Sequence, residues 1–357
     1  MQPTPIHGRG AAFNPENRFT QIRVEWQPHE EDVPAPQTQF LHDDSQSIIV
    51  YNESPDIPYA AGINPYRGCE HGCIYCYARP YHEYLGLSAG LDFETKIFVK
   101  MRAAELLRRE FSKPSWQPQA IGLSGVTDCY QPIERKLRIT RGILEVCAEF
   151  RNPVMIVTKN ALILRDLDVL AELAKHRCVS VAISTTTLNE ELRPLMEPRT
   201  STGLKRLEAI AKLNEAGVPA GVLVAPIIPG LNDTEVAEIL KRAAGAGAKF
   251  AGYTVVRLPH AVAPLFETWM REHFPLRAEK VLKRIREARG GAMHDPRFGK
   301  RMKGEGFAAE AIGRLFKLAA RQAGIGESSR GPELTAEGFR VPGTTRAMFV
   351  RVRAWTP

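Results

Sequence analysis

Residues 64–80 read NPYRGCEHGCIYCYARP and contain three of the six cysteines in the chain. These cysteines, Cys69, Cys73 and Cys76, have the spacing C-x3-C-x2-C, which is much tighter than six cysteines scattered over 357 residues would show. Thiolates held this closely on one loop converge on a soft metal centre. Six cysteines are also too few to cross-link a chain of this length, so the cluster predicts a metal site rather than disulfides.

The kind of metal centre depends on the fourth ligand. A structural zinc site has four protein ligands, and no second C-x2-C pair occurs in the sequence. A [4Fe-4S] cluster held by three thiolates leaves one iron open to an outside ligand, which suits chemistry. His71 is positioned in the sequence to complete a zinc site, although it lies inside the cysteine loop. We favour an iron-sulfur cluster and keep two alternatives, a zinc ion and three thiols without metal.

The composition is that of a folded, soluble protein. The chain has 357 residues and a mass of 39.7 kDa, with 44% hydrophobic and 25% charged residues and a mean hydropathy of -0.23. These values exclude a mainly disordered chain. No apolar run approaches the roughly 20 residues of a membrane-spanning helix, and the first residues lack a signal-peptide pattern. We therefore expect a cytoplasmic protein that contacts no membrane.

Apolar, β-prone runs alternate with amphipathic helical patterns through the middle of the chain. This alternation predicts βαβ units and a parallel sheet. With the cysteine segment as the first unit, about six units predict an α/β fold that is a partial (β/α)6 TIM-like barrel. The sequence lacks a Gly-x-Gly-x-x-Gly motif after the first strand, which argues against a doubly wound, dinucleotide-binding sheet. The runs lie at 119–123, 153–157, 178–183, 220–225 and 250–256, and the helical patterns at 101–111, 135–150, 164–175, 203–216 and 233–246.

We divide the chain into three parts on these patterns. Residues 1–58 form an N-terminal extension, rich in Pro, Gln and charge, which we expect to be largely irregular apart from a β-prone run at 47–51. Residues 59–260 form the partial barrel. Residues 261–357 form a helical C-terminal extension. Its predicted elements are helices at 264–289 and 307–323 and an edge strand at 348–352.

Cys69, Cys73 and Cys76, with the aromatic Tyr75 before the last cysteine, match the CxxxCxΦC signature of the radical S-adenosylmethionine (SAM) superfamily. The flanking sequence resembles the bacterial DNA-repair-photolyase-like branch, related to spore photoproduct lyase, from residue 8 to 323. The resemblance implies that the three cysteines bind a [4Fe-4S] cluster and that SAM binds its open iron. It also implies a one-electron reductant such as flavodoxin or ferredoxin, and cleavage of SAM to a 5'-deoxyadenosyl radical that abstracts hydrogen from a substrate.

Polar residues follow the apolar runs, at the strand ends where barrels build their active sites. Asp128 suits an ammonium group, Lys159 suits a carboxylate, and Thr127 and Ser184 offer hydroxyls. The resemblance to spore photoproduct lyases implies that these four residues contact SAM and that Tyr75 contacts its adenine. The alternative is that they are helix N-cap residues or ordinary polar residues of loops.

Two further residues are candidates for the site. Arg199 suits a carboxylate of SAM or a phosphate of the substrate, or a structural pair with Glu197. Cys129 lies on the loop after the second predicted strand, where the resemblance implies a cysteine that returns a hydrogen atom to the product. The donor of the family precedes the hydroxyl-Asp pair, where this chain has Gly125. The alternative for Cys129 is a buried structural role.

The chain is basic, with 48 Lys and Arg against 40 Asp and Glu, a net charge of +8 and a pI near 9.2. The basic residues are densest from Arg277 to Lys303. This segment suits a nucleic-acid backbone, and the alternative is a solvated helix face followed by a basic loop.

Three functions fit the sequence. The first is a radical SAM enzyme, a lyase of the DNA-repair type, acting on nucleic acid. The second is a radical SAM enzyme acting on a small molecule or a peptide. The third is a nucleic-acid-binding module stapled by a metal, which would bind without SAM turnover and would unfold on loss of Cys69.

Overall fold

The computed structural model describes residues 6, 8–19, 36–325 and 331–343. The predicted edge strand at 348–352 lies outside these residues. No helix in the described part of the chain is long and apolar enough to cross a membrane.

A seven-stranded sheet forms the centre of the fold. The strands in chain order are β1 (Gln39–His42), β2 (Ile49–Tyr51), β3 (Ala61–Ile63), β4 (Tyr66–Arg67), β5 (Lys96–Val99), β6 (Ile121–Leu123), β7 (Val154–Thr158), β8 (Val179–Ser184), β9 (Ala220–Ile227) and β10 (Ala251–Val255). The central sheet has the order β10-β9-β8-β7-β6-β3-β2. All its neighbours are parallel except β2 and β3. Six parallel strands in an open sheet confirm the predicted partial barrel.

The connecting helices follow the predicted pattern with two breaks. Their bounds are α1 (Leu91–Thr95), α2 (Ala103–Phe111), α3 (Glu134–Leu137), α4 (Ile139–Phe150), α5 (Leu167–Lys175), α6 (Arg193–Met196), α7 (Gly203–Glu215), α8 (Val236–Gly245), α9 (Val262–His273), α10 (Pro275–Glu287) and α11 (Gly306–Gln322). The predicted helix at 135–150 breaks at Arg138, which has a φ of 54°. The predicted helix at 264–289 breaks before Pro275, because proline lacks an N–H and suits the first turn of a new helix.

Two strands depart from the sequence expectation. The first barrel strand, β3, has only three residues, too few to show a periodic pattern. The N-terminal extension, expected to be largely irregular, contributes β1, which pairs in parallel with β5. Strands β1, β5 and β4 form a second, three-stranded sheet. Because β4 leads almost directly into Cys69, this small sheet fixes where the cysteine loop begins.

The strands of the central sheet are buried along most of their length. In β8 every residue except Ala182 is buried. Helices cover one face of a parallel barrel sheet and the barrel interior covers the other, so such strands are apolar throughout instead of alternating. This is why the runs stood out as continuous in the sequence.

The residues 293–303, which we call the closing segment, bridge the open side of the barrel. The N–H of Leu258, just after β10, donates to the carbonyl of Met293 at 3.2 Å. At the other end, Asp56, in the turn before β3, accepts hydrogen bonds from the Gly299 N–H at 2.8 Å and from the Arg301 guanidinium at 2.6 Å. The segment thus connects the last strand of the sheet with the first.

Candidate active site

The cysteine loop lies between β4 and α1. Cys69 and Cys73 are buried, Cys76 is partly exposed, and all three are free thiols. Burial, followed by the Asp128 carboxylate and the other two thiols, raises the pKa of Cys69 well above its ordinary value. Burial is also the main cause that raises the pKa of Cys73 and of Cys76. Buried thiols on one loop ionise readily only around a cationic centre, as metal binding provides.

Backbone groups are already directed at the sulfur atoms. The backbone of Asp128 acts to lower the pKa of Cys69, and the backbone of Ala78 acts to lower the pKa of Cys76, each against the larger effect of burial. Both effects favour the thiolate form, and backbone groups near sulfur are one of the means by which proteins tune iron-sulfur clusters.

The donor set fits a three-thiolate cluster better than a zinc ion. Among residues 6, 8–19, 36–325 and 331–343, no three His, Cys, Asp or Glu side chains gather closely enough to hold a single metal ion. His71, the sequence candidate for a fourth ligand, has its Nδ1 atom 3.4 Å from Asp128 and its Nε2 atom 3.3 Å from the Asn160 amide. A [4Fe-4S] cluster takes one thiolate on each of several irons, so three separated thiols are a suitable donor set.

A buried ion pair holds the cysteine loop in place. The Arg79 guanidinium donates to the carbonyl of Cys73 at 2.9 and 3.1 Å and pairs with Glu94 at 2.5 Å. Neither side chain of this pair has exposed surface. Glu94 also accepts from the backbone N–H groups of Gly10 at 3.1 Å and Ala11 at 2.8 Å. The N-terminal segment is therefore anchored to the loop.

Gly10 is a position where only glycine fits. A Cβ atom built there would lie 1.8 Å from the carbonyl oxygen of Gly72, inside the cysteine loop. The close approach of the two backbones requires the absence of a side chain.

Three of the predicted SAM contacts meet at the ends of neighbouring strands. Lys159, after β7, donates from its Nζ atom to Ser184, the last residue of β8, at 2.7 Å and to the Ala225 carbonyl of β9 at 2.9 Å. The same ammonium lies 5.6 Å from the centre of the Tyr75 ring. These side chains lie at the same edge of the sheet as the cysteine loop.

A buried carboxylate that sequence reasoning did not select as a site residue lies under this group. Glu197 lies 3.2 Å from Lys159 and 2.5 Å from Arg206, and it accepts the Tyr75 hydroxyl and a hydrogen bond from Thr186. Burial alone would raise the pKa of Glu197, but the charges of Arg206 and Lys159 outweigh it and hold this pKa well below its ordinary value. Glu197 thus stays ionised and fixes both cations.

Asp128 and Thr127 lie beside the cysteine loop with their hydrogen bonds already used. Asp128 accepts from the Thr158 hydroxyl at 2.7 Å, the Lys159 N–H at 2.8 Å and the Tyr130 N–H at 2.9 Å. Thr127 donates to the Tyr66 carbonyl at 2.9 Å. Both residues therefore hold the loops around the site together.

The structure does not bring Arg199 into the Lys159 group. Its guanidinium lies 3.2 Å from Glu70, and its side chain is 37% exposed. The sequence alternative of a Glu-Arg pair is realised, but with Glu70 and not with the neighbouring Glu197. Arg199, Arg9, Lys136 and Glu70 line a cavity of about 600 Å³.

Cys129 belongs to the main apolar core. Its side chain has no exposed surface. Burial and the Asp128 carboxylate raise the pKa of Cys129 well above its ordinary value. The residue is therefore a neutral thiol that keeps its S–H hydrogen.

The basic residues of Arg277–Lys303 are mostly engaged within the protein. Arg289 is buried and donates to four backbone carbonyls. Arg297 and Lys300 contact Glu305, and Arg301 pairs with Asp56. The basic loop of the sequence is thus largely the closing segment of the barrel, and its Arg297 and Lys300 side chains stay about half exposed.

The chain is similar to known proteins over most of these elements. The family model of the radical SAM superfamily matches residues 63–243, more than half of the 357-residue chain. An uncharacterized protein of Mycobacterium bovis is 37% identical over 235 residues, 65% of this chain and 67% of the relative. An uncharacterized protein of Methanocaldococcus jannaschii is 31% identical over 173 residues, 48% of this chain and 62% of the relative.

Solved structures of spore photoproduct lyase share the fold. One mutant of that enzyme has a TM-score of 0.56 and 16% identity, with 80% of this chain and 78% of that chain covered. Another, with bound AdoMet and dinucleoside spore photoproduct, has a TM-score of 0.53 and 15% identity, with 84% of each chain covered. The cysteine loop and the polar strand ends therefore lie on an architecture that also serves a lyase.

Proposed function

The chain belongs to the radical SAM superfamily, and from this we propose that it is an enzyme that holds a [4Fe-4S] cluster on Cys69, Cys73 and Cys76 and reductively cleaves SAM. The observation that carries the proposal is the loop of three free thiols at the edge of the sheet where the strands end. When bound, the cluster supplies one electron for the cleavage of SAM and so for hydrogen abstraction from a substrate.

The residues around the loop have separate tasks in this proposal. Tyr75, Lys159 and Ser184 bind SAM, because their polar groups meet at the strand ends beside the cysteines. Thr127 and Asp128 are further SAM contacts in this proposal, and the bonds that their oxygen atoms make to neighbouring loops hold them in position. Burying these groups also excludes water from the reaction.

We propose nucleic acid as the substrate class and a lyase reaction of the repair type. The net charge of +8 favours a polyanion. A structure that shares the fold is spore photoproduct lyase with bound dinucleoside spore photoproduct. Cys129 is the proposed hydrogen donor for this reaction, because hydrogen-atom transfer needs an undissociated thiol. A small molecule or a peptide is the alternative substrate.

The electron comes from a one-electron carrier such as flavodoxin or ferredoxin in this proposal. We keep the three-part division at residues 58 and 260, with the catalytic residues in the middle part. The N-terminal part then serves to anchor the cysteine loop through Gly10 and Ala11.

The first test is the metal content of the anaerobically purified protein. We expect about four irons and four sulfides per chain and little zinc. Cys73→Ala should lose both, whereas Cys147→Ala, which removes a cysteine from the core outside the loop, should retain them. About one zinc and no sulfide would overturn the proposal in favour of a structural metal site.

The second test is turnover. The protein with dithionite and SAM should release 5'-deoxyadenosine and methionine. A protein that holds iron and binds nucleic acid but leaves SAM intact would be a binding module stapled by its cluster, and the enzyme proposal would fail.

A further inference from the structure

Two guanidinium groups at the open side of the barrel form no ion pair with a carboxylate of the described residues. Arg257 follows the end of β10, and its guanidinium stacks over the Tyr77 ring, 4.1 Å from the ring centre. Within the described part of the chain it has no hydrogen bond or ion pair. Arg289 is buried and donates to the carbonyls of Val255, Val256, Lys300 and Arg301.

Two histidines lie next to these arginines. His294 is in the closing segment beside Leu258, and its Nδ1 atom is buried with no hydrogen-bond partner among the described residues. Burial, followed by the charges of Arg257, Arg289 and His260, lowers the pKa of His294 to about 4. Burial and Arg257 also lower the pKa of Arg289 to about 10. Like charges are thus concentrated here, a situation that a bound anion would relieve.

The Asp295 carboxylate offsets part of this charge, since it acts to raise the pKa of both Arg289 and His294. Asp295 is held by the Arg297 side chain at 2.6 and 2.9 Å. His260 is exposed, and its φ of 50° lies in the left-handed region of backbone conformation. Such strain in a residue other than glycine is commonly retained at binding sites.

Tyr77 places this charge beside the candidate active site. It directly follows Cys76 in the sequence, and its hydroxyl donates at 2.6 Å to the carbonyl of Gly125 in the loop after β6. The ring thus spans the gap between that loop and Arg257. An anion on Arg257 would lie at the mouth of the barrel, next to the cysteine loop.

We propose that Arg257, His260 and His294 bind a phosphate group of the substrate at the open side of the barrel. The guanidinium fork of arginine suits the bidentate recognition of phosphate, and imidazole N–H groups add further donors. The proposal rests on the proposed function, because it presents a phosphorylated substrate to the chemistry at the cysteine loop.

Binding to the full-length, anaerobically purified protein tests the site. The probes are inorganic phosphate, followed by calorimetry, and a short fluorescent single-stranded oligonucleotide, followed by anisotropy, both with excess SAM present. Arg257→Met keeps the apolar stem over Tyr77 and removes the charge. It should weaken binding of phosphate by about tenfold or more, the usual effect of losing a charged hydrogen bond, and Arg257→Lys should weaken it less.

Lys283→Met is the matched control. Lys283 is exposed on α10 within the basic segment, so its loss should change binding by about twofold at most. His294→Gln provides a second variant at the site should Arg257→Met fail to fold. An oligonucleotide that binds much more tightly than inorganic phosphate would identify a polynucleotide as the source of the phosphate, and equal affinity would identify a small phosphorylated molecule.

Two results would overturn the proposal. They are no binding of either probe and a loss of binding in Lys283→Met equal to that in Arg257→Met. The iron content and SAM cleavage of the wild-type sample report separately on the proposed function. Arg257-dependent binding without iron would leave the phosphate site standing and refute the enzyme.

Discussion

Replacing Glu197 by glutamine removes the negative charge that Arg206 and Lys159 share beneath Tyr75. The carboxylate lies 2.5 Å from Arg206 and 3.2 Å from Lys159, and the side chains of Glu197 and Arg206 have no exposed surface. Loss of one partner of a buried ion pair costs about 3–5 kcal/mol, because the other charge is left uncompensated. Since each kcal/mol shifts the midpoint of a large domain by about 2–4 °C, the thermal midpoint should fall by about 6–20 °C.

The assay is thermal unfolding of the wild type and Glu197→Gln, followed by circular dichroism. The control is Glu208→Gln on α7, where the carboxylate and its partner Lys212 are both about half exposed. Exposed pairs of this kind contribute little, so no measurable shift is expected. A midpoint for Glu197→Gln within about 1 °C of the wild type would refute the view that this ion pair stabilises the fold.

The stability difference between the wild type and Glu197→Gln should depend on pH. Folding lowers the pKa of Glu197, chiefly through Arg206 and Lys159 against the opposing effect of burial. A carboxylate with a lowered pKa contributes its stability above the unfolded pKa, about 4.3, and loses it as the pH falls. The difference in unfolding free energy between wild type and Glu197→Gln should be constant above about pH 5.5 and narrow by about 1 kcal/mol at about pH 3.5. A difference that widens on acidification contradicts the assignment.

Three further variants test how the cysteine loop is anchored and which cysteines hold the cluster. Gly10→Ala places a Cβ atom 1.8 Å from the Gly72 carbonyl, so the N-terminal segment should detach and be cleaved faster in limited proteolysis. Glu94→Gln weakens the buried pair with Arg79. It should lower the free energy of unfolding by about 3–5 kcal/mol and reduce the iron bound per chain. An unchanged free energy together with unchanged iron would argue against the anchor. Cys129→Ala should retain all iron, because the thiol lies in the core and not on the loop, and loss of iron would show that it is a ligand.

The cysteine motif and the barrel could be predicted because both depend on local patterns. The spacing of Cys69, Cys73 and Cys76 is readable within eight residues, and each long strand is a continuous apolar run bounded by helices. β3 escaped prediction because three residues carry no period. β1 escaped because its pairing with β5 joins residues far apart in the chain.

The hydrogen-bond network around Glu197 could not be predicted from the sequence, because its members lie far apart along the chain. Tyr75 and Glu197 are separated by 122 positions, and Lys159 and Ala225 by 66. A sequence shows that Lys159 follows a strand, and therefore that it lies at the edge of the sheet. It does not show which carboxylate will balance the charge, because that depends on how the loops fold over one another.

The charges of the basic segment show the limit of composition as an argument. Counting Lys and Arg over Arg277–Lys303 predicts an anion-binding surface, yet Arg289 is satisfied by carbonyls, and Arg297 and Arg301 are paired with acids. Arg257 lies outside that segment and does not stand out in the sequence, but it has no acidic partner in the described part of the chain. An anion is attracted by charge that remains uncompensated, so the position of one unpaired arginine beside the cysteine loop says more about the substrate than the net charge of +8.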